Sequence, residues 1–168
     1  MTLFIAVILI LIVQRLIELR ISSRNYKVLI REGGVEYGRE HYKYIVMLHT
    51  LFIITMIFEY LMRELYGKLS DISYLFLVFF ALLQIMRFWV IHSLGKFWNT
   101  RIIRVPGSDL VKSGPYKFLK HPNYVIVALE IFCLPMIFGL YYTAIIFTIL
   151  NSLILNIRIK EENKVLIN

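Results

Sequence analysis

The feature that most constrains this chain is a set of long apolar runs, at 3–19, 45–62, 74–94, 124–138 and 141–157, separated by charged stretches. A helix needs about 20 largely apolar residues, rising 1.5 Å each, to cross the hydrocarbon of a bilayer. Five segments approach that length, the fourth being the shortest. None alternates polar and apolar residues with the period of two expected of barrel strands, so the runs predict helices. With 59% of its 168 residues hydrophobic and 18% charged, the chain is too apolar for a soluble domain of this size. Its mean hydropathy of +0.70 points the same way. The expected fold is an all-α integral membrane protein of about five transmembrane helices. The first run lacks a basic segment before it and a small-residue cleavage site after it, and Arg15 and Glu18 interrupt its end. It reads as a retained helix rather than a signal peptide.

The net charge of +8 is distributed as membrane proteins distribute it, which argues against nucleic acid as the partner. Arg20, Arg24, Lys27, Arg31, Arg39 and Lys43 lie between the first two runs. Lys96, Arg101, Arg104, Lys112, Lys117 and Lys120 lie between the third and fourth, and Arg158, Lys160 and Lys164 follow the fifth. The other side holds Arg63 and Lys68, so the bias is 15 to 2. Such asymmetry predicts an outside N-terminus and a cytoplasmic C-terminus. Membrane lipids are the expected surroundings, and oligomeric state is not readable.

No repeat, low-complexity tract or linker divides the chain, so residues 1–168 read as one domain. Residues 22–44 form a charged connector, part helix, with Gly33-Gly34 as a break. Gly67 to Ser73 reads as a short outer turn. Residues 93–123 make the longest irregular stretch, punctuated by Gly95, Pro106-Gly107, Gly114-Pro115 and Pro122. Loops of this length in a small chain are usually functional or disordered, and the aromatic content here argues for order.

Two polar clusters stand out: Ser113-Gly114-Pro115-Tyr116-Lys117-Phe118-Leu119-Lys120-His121-Pro122-Asn123-Tyr124, and Arg158-Ile159-Lys160-Glu161-Glu162. The apolar chain between them can cross the membrane and return once, with Gly139 near its middle, so both clusters meet at one edge. That juxtaposition points to a membrane enzyme with its site facing the cytoplasm. Pro122 suits a first helical turn, where free backbone N–H groups can hold an anion. His121 and Tyr124 can face one pocket, although a capping motif with an interfacial tyrosine would look alike. Arg158 and Glu162, four apart, share a helix face with Asn151 seven residues earlier. A surface ion pair there would be worth at most about 1 kcal/mol.

Charges within apolar runs are expensive and merit a role. Arg15, Glu18 and Arg87 lie near cytoplasmic ends and can snorkel or pair. Glu59 lies near an outer end. Glu130, deeper, reads as structural, bonding Asn151 or Ser152, with an acceptor pocket as the other option. His41, His49 and His92 show no ligand spacing, so no metal site is expected, though His92 could approach the polar edge. Cys133 reads as a small buried hydrophobe. No P-loop, Gly-x-Gly-x-x-Gly unit or Gly-x-Ser-x-Gly elbow is present.

Leu110-Val111-Lys112-Ser113-Gly114-Pro115-Tyr116, then Lys120-His121-Pro122-Asn123-Tyr124, then Arg158 with Glu161-Glu162, resembles the isoprenylcysteine carboxyl methyltransferase family over roughly the C-terminal half. One departure is Val125-Ile126, where many members have glycine after the tyrosine. The resemblance implies a methyltransferase domain with its site in 96–168 and S-adenosyl-L-methionine as cofactor. It implies donor contacts from Leu110, Val111, Tyr116, His121, Pro122, Asn123, Tyr124 and Glu162, and a catalytic Arg158 that orients the acceptor. The small size resembles bacterial members, including O-methyltransferases of alkylpyrones, so the implied partner is a lipophilic small-molecule acceptor with an acidic enol or carboxylate. Two alternatives remain at the level of sequence: a membrane NADPH-dependent lipid reductase, and a non-catalytic membrane partner protein. Glu161-Glu162 beside the site favours a cationic donor over a phosphate-rich one.

Overall fold

The computed structural model describes residues 1–63 and 69–167. Five helices follow the apolar runs in order: α1 (Thr2–Arg31), α2 (Arg39–Met62), α3 (Asp71–Leu94), α4 (Pro122–Ile137) and α5 (Tyr141–Ile167). Of these, α1, α2, α3 and α5 are long and apolar enough to cross a membrane, and the chain is an integral membrane protein. Helix α4 has 16 residues and falls short of that length. At 1.5 Å per residue it reaches only about 24 Å. The expected five-helix order is present, but the fourth helix is not of spanning length. Gly67 and Lys68 of the expected outer turn lie outside the described residues, and Ser70 caps α3 by accepting from the Ser73 N–H at 3.2 Å.

Most of the connector at 22–44 is helical. Nothing in 20–31 breaks a helix, so α1 continues to Arg31. It stops at the expected pair: Gly33 has φ +84°, and a Cβ on Gly34 would lie 2.7 Å from the Leu29 carbonyl oxygen. The chain then forms β1 (Val35–Tyr37), which pairs antiparallel with β2 (Ile102–Arg104), Glu36 opposite Ile103. The all-helical expectation omitted this small sheet, because three-residue strands are too short to show a period.

Helix α4 is the inner element, packed against α3 and α5, while α5 also packs on α2. Its buried face includes Ile126, Val127, Ile131, Leu134 and Ile137. Cys133 is buried and free. At the end of the bundle that holds the start of α1, Phe4 stacks on Tyr60 at 3.8 Å between centroids and meets Phe138 edge-on. The outward helix faces carry exposed Leu9, Ile10, Ile54, Leu75, Ile85 and Ile149.

The charges inside the helices pair with one another. Arg87, 2% exposed, donates from Nε to Glu130 Oε1 at 2.8 Å and from Nη1 to Glu18 Oε1 at 3.1 Å, and its Nη2 also bonds Glu130. Arg15 reaches Glu18 at 2.8 Å and Glu130 at 3.2 Å, and Gln84 donates to Glu130 at 2.9 Å. This network ties α1, α3 and α4 together. Glu130 therefore takes its partners from α1 and α3, and not the expected Asn151 or Ser152 of α5, because Gln84 and Arg87 face it across the α3–α4 contact. Glu59 caps α5, accepting from the Thr143 N–H at 2.8 Å, the Thr143 hydroxyl at 2.6 Å and the Tyr142 N–H at 3.3 Å. Those N–H groups have no partner inside their own helix, and a carboxylate suits the positive end of its dipole.

Candidate active site

The ends of α3, α4 and α5 and the irregular stretch between α3 and α4 enclose a cavity of about 530 Å³. That size suits a drug-sized or cofactor-sized ligand, for which pockets run to roughly 300–1,000 Å³. A hard local constraint shapes its wall. Gly114 has φ +57°, and a Cβ there would lie 2.1 Å from Ser93 Oγ, so the loop packs on α3 only because the residue is glycine. The short helical turn Gly114–Lys117 that follows carries Tyr116 into the cavity lining. Burial, and then the Glu162 carboxylate, push the Tyr116 phenol above its ordinary range, so it stays protonated at neutral pH.

His121 is the cap residue of α4 and Pro122 its first helical residue. This turn presents His121, Asn123 and Tyr124 to the cavity. The imidazole stacks on the Tyr124 ring at 5.3 Å, its Nε2 lies 3.1 Å from Asn163 Oδ1, and its Nδ1 lies 3.7 Å from Glu162 Oε2. The Tyr124 hydroxyl joins the two clusters: it donates to Glu162 Oε2 and accepts from Arg158 Nε at 2.8 Å. Arg158 Nη2 donates to the Thr100 carbonyl oxygen at 2.6 Å. Nη1 has no hydrogen-bond partner among the described residues, so one edge of the guanidinium stays available.

Leu110, Val111, Tyr116, His121, Asn123, Tyr124, Arg158 and Glu162 all line this one cavity. Pro122 does not; it is fully buried behind the lining, where it sets the helix start. Glu161 turns away to pair with Lys164 at 2.7 Å. Asn151 is buried at 2% exposure and is outside the lining. His92 is outside it too, stacked on Phe88. Arg87 is committed to the helix network and lies outside the lining, whereas Arg104 lines the cavity.

Sequence reasoning missed Trp98, Asn99 and Arg101 in the lining. Arg101 lies between the Tyr26 and Tyr42 rings, at 5.2 and 4.9 Å, and pairs with Glu36 at 2.8 Å. The available signal was the run of polar residues from Asn99 to Arg101 inside an otherwise apolar-aromatic loop. Two buried polar atoms of the lining have no partner among the described residues: the Trp98 indole Nε1, a donor, and Asn123 Oδ1, an acceptor. Buried polar groups are nearly always satisfied, so such atoms suit a ligand with its own donors and acceptors.

A comparison with protein families matches residues 74–168, which include the whole cavity stretch, to the isoprenylcysteine carboxyl methyltransferase (ICMT) family. The chain belongs to that family. Family members are membrane methyltransferases that use S-adenosylmethionine. The chain is 42% identical over 160 residues to the uncharacterized protein YpbQ of Bacillus subtilis (strain 168), covering 95% of this chain and 94% of the relative. It is 30% identical over 155 residues to an uncharacterized protein of Haemophilus influenzae, covering 88% and 86%. Both similarities extend well beyond the family-matched stretch.

S-adenosylmethionine carries a sulfonium, an ammonium, a carboxylate and an adenine. The donor set in the cavity fits it. Glu162 and Asn123 Oδ1 accept from cationic or N–H groups, Trp98 Nε1 donates, and Lys120 and Arg104 match a carboxylate. Ile102, Ile103, Leu110 and Val111 supply an apolar wall for a base.

Proposed function

We propose that this protein transfers a methyl group from S-adenosylmethionine to an acidic oxygen of a lipophilic acceptor, at the cytoplasmic edge of a bacterial plasma membrane. The observation that carries the reading is the Glu162–Tyr124–Arg158 bridge on the cavity wall, in which one phenol holds a donor-binding acid and an acceptor-binding base side by side. Glu162, Asn123 and His121 hold the polar groups of the cofactor, with Tyr116, Leu110 and Val111 along its length and Pro122 fixing the turn. When bound, that cofactor supplies a methyl group on a sulfonium, which departs as a neutral thioether while the acceptor oxygen gains its bond to carbon. Arg158 presents Nη1 to the anionic oxygen and aims it.

Displacement at a methyl carbon needs alignment more than proton transfer. A carboxylate or acidic enol is already ionised at neutral pH, so no general base is required, and the protonated Tyr116 is not asked to act as one. Tyr124 and the Thr100 carbonyl share the Arg158 charge, which keeps the acceptor oxygen from being quenched by too tight an ion pair. Phe118 and Leu119, exposed at the cavity rim, give an apolar approach for the tail. The small bacterial form of the site favours an alkylpyrone-type enol, with an isoprenylcysteine-like carboxylate second. The basic loops between the helices support a cytoplasmic site.

Purified protein in detergent, given S-adenosylmethionine labelled in its methyl group, is expected to label either a long-chain 4-hydroxy-2-pyrone or an S-farnesyl cysteine. Mass spectrometry of lipids from deletion and overexpression strains should show one species gaining a methyl with dose. Absence of calorimetric binding of the cofactor to folded protein refutes the reading.

A further inference from the structure

The guanidinium of Arg158 is aimed by two groups, and one of them is not a side chain. Its Nη2 donates to the backbone carbonyl of Thr100 at 2.6 Å, so the direction of that peptide decides where Nη1 points. Thr100 lies in a bend before β2, with no helix to fix it. What fixes it is α1. The Ser22 hydroxyl accepts from the Thr100 N–H at 3.0 Å, lies 2.8 Å from Thr100 Oγ1, and donates to Asn99 Oδ1 at 2.8 Å. A hydroxyl has one proton to donate and two lone pairs. With Ser22 donating to Asn99 and accepting from both Thr100 groups, all three are used, and the residue is 4% exposed. Asn99 returns a bond to the Ser22 carbonyl oxygen at 3.1 Å and receives the Arg101 N–H at 2.9 Å, and Tyr42 Oη lies 3.3 Å from Thr100 Oγ1.

We propose that Ser22 is a positioning residue for Arg158, acting through the Thr100 backbone carbonyl. The proposal rests on the acceptor-orienting role given to Arg158 above. It brings α1, which lies outside the family-matched stretch, into the reaction without touching either substrate. Replacing Ser22 by Ala strands the Thr100 N–H, leaves Asn99 Oδ1 with the Arg101 N–H alone, frees the 99–101 peptides to rotate, and lets the guanidinium swing about its remaining anchor at Tyr124. Loss of that aim lowers turnover, while Glu162 on α5 and Asn123 on α4, the polar groups given to the cofactor, keep their places.

The test is a double-mutant cycle in detergent, with the long-chain 4-hydroxy-2-pyrone and S-farnesyl cysteine as acceptor probes and calorimetry for cofactor affinity. Ser22→Ala is expected to lower kcat roughly tenfold, the loss typical of an unmade buried hydrogen bond, with cofactor Kd within about twofold. In an Arg158→Lys background, where no fork is left to aim, adding Ser22→Ala should change kcat by less than about twofold. An equal loss in both backgrounds overturns the inference, because Ser22 then acts independently of Arg158. A shifted cofactor Kd with unchanged kcat overturns it as well. If Ser22→Ala does not fold, Thr100→Val, which removes the Oγ1 contacts and keeps the peptide N–H, is carried through the same cycle with the same two outcomes. Failure of the underlying reading looks different: Arg158→Ala itself then turns over at the wild-type rate.

Discussion

At Arg158 the fork is divided, Nε going to a phenol, Nη2 to a peptide carbonyl, and Nη1 to no partner among the described residues. Arg158→Ala is therefore expected to abolish most turnover with cofactor Kd held within a small factor, read by calorimetry beside a methyl-transfer assay. Arg158→Lys should restore little, since a point charge cannot reproduce a planar fork. His121→Ala, Tyr124→Ala and Glu162→Ala should weaken the cofactor instead. A hydrogen bond to a charged group is worth about 1.5–3 kcal/mol, or roughly ten- to a hundredfold in affinity. Unchanged binding in all three would sink their assignment. These four residues were legible because helical spacing and the motif order both bring them to one edge. Thr100, Ser22 and Arg101 were not, since a bond to a backbone carbonyl leaves no mark on residue type and a loop has no period to read.

Among the elements, the helices were legible from apolar run length, and their true ends were not. Arg20 to Arg31 is polar enough to look like a connector, yet contains nothing that stops a helix, and it became the last turns of α1. The Gly33-Gly34 break was readable because only glycine tolerates that turn. The same logic predicts that Gly114→Ala, facing Ser93 Oγ at 2.1 Å with φ +57°, destabilises by more than about 1 kcal/mol and lowers the detergent melting temperature. The polar network between α1, α3 and α4 gives a graded test. Glu130→Ala leaves Arg87, 2% exposed, short of its main partner, and should cost about 3–5 kcal/mol. Glu32→Ala removes only the open pair with Lys96 and should cost under about 1 kcal/mol. Equal losses in thermal unfolding would mean that the network is not buried in the folded protein.

For the molecule as a whole, the basic asymmetry predicts a cavity that faces the cytoplasm. A cysteine placed at Ser70, exposed at the start of α3, should react with an impermeant thiol reagent on intact cells, while one at Lys164 should react only after permeation. The reverse pattern would put the cavity outside, away from any cytosolic cofactor supply. The cavity also has a particular history during synthesis. Its walls are made early, on the loop after α3 and the start of α4, but Arg158 and Glu162 arrive at the end of α5. Growing at roughly 5–20 residues per second, the chain holds Tyr124 in the membrane for seconds before either partner leaves the ribosome. Until then the phenol has neither of them, and a nascent chain stalled in α5 lacks the bridge however well its earlier helices have packed.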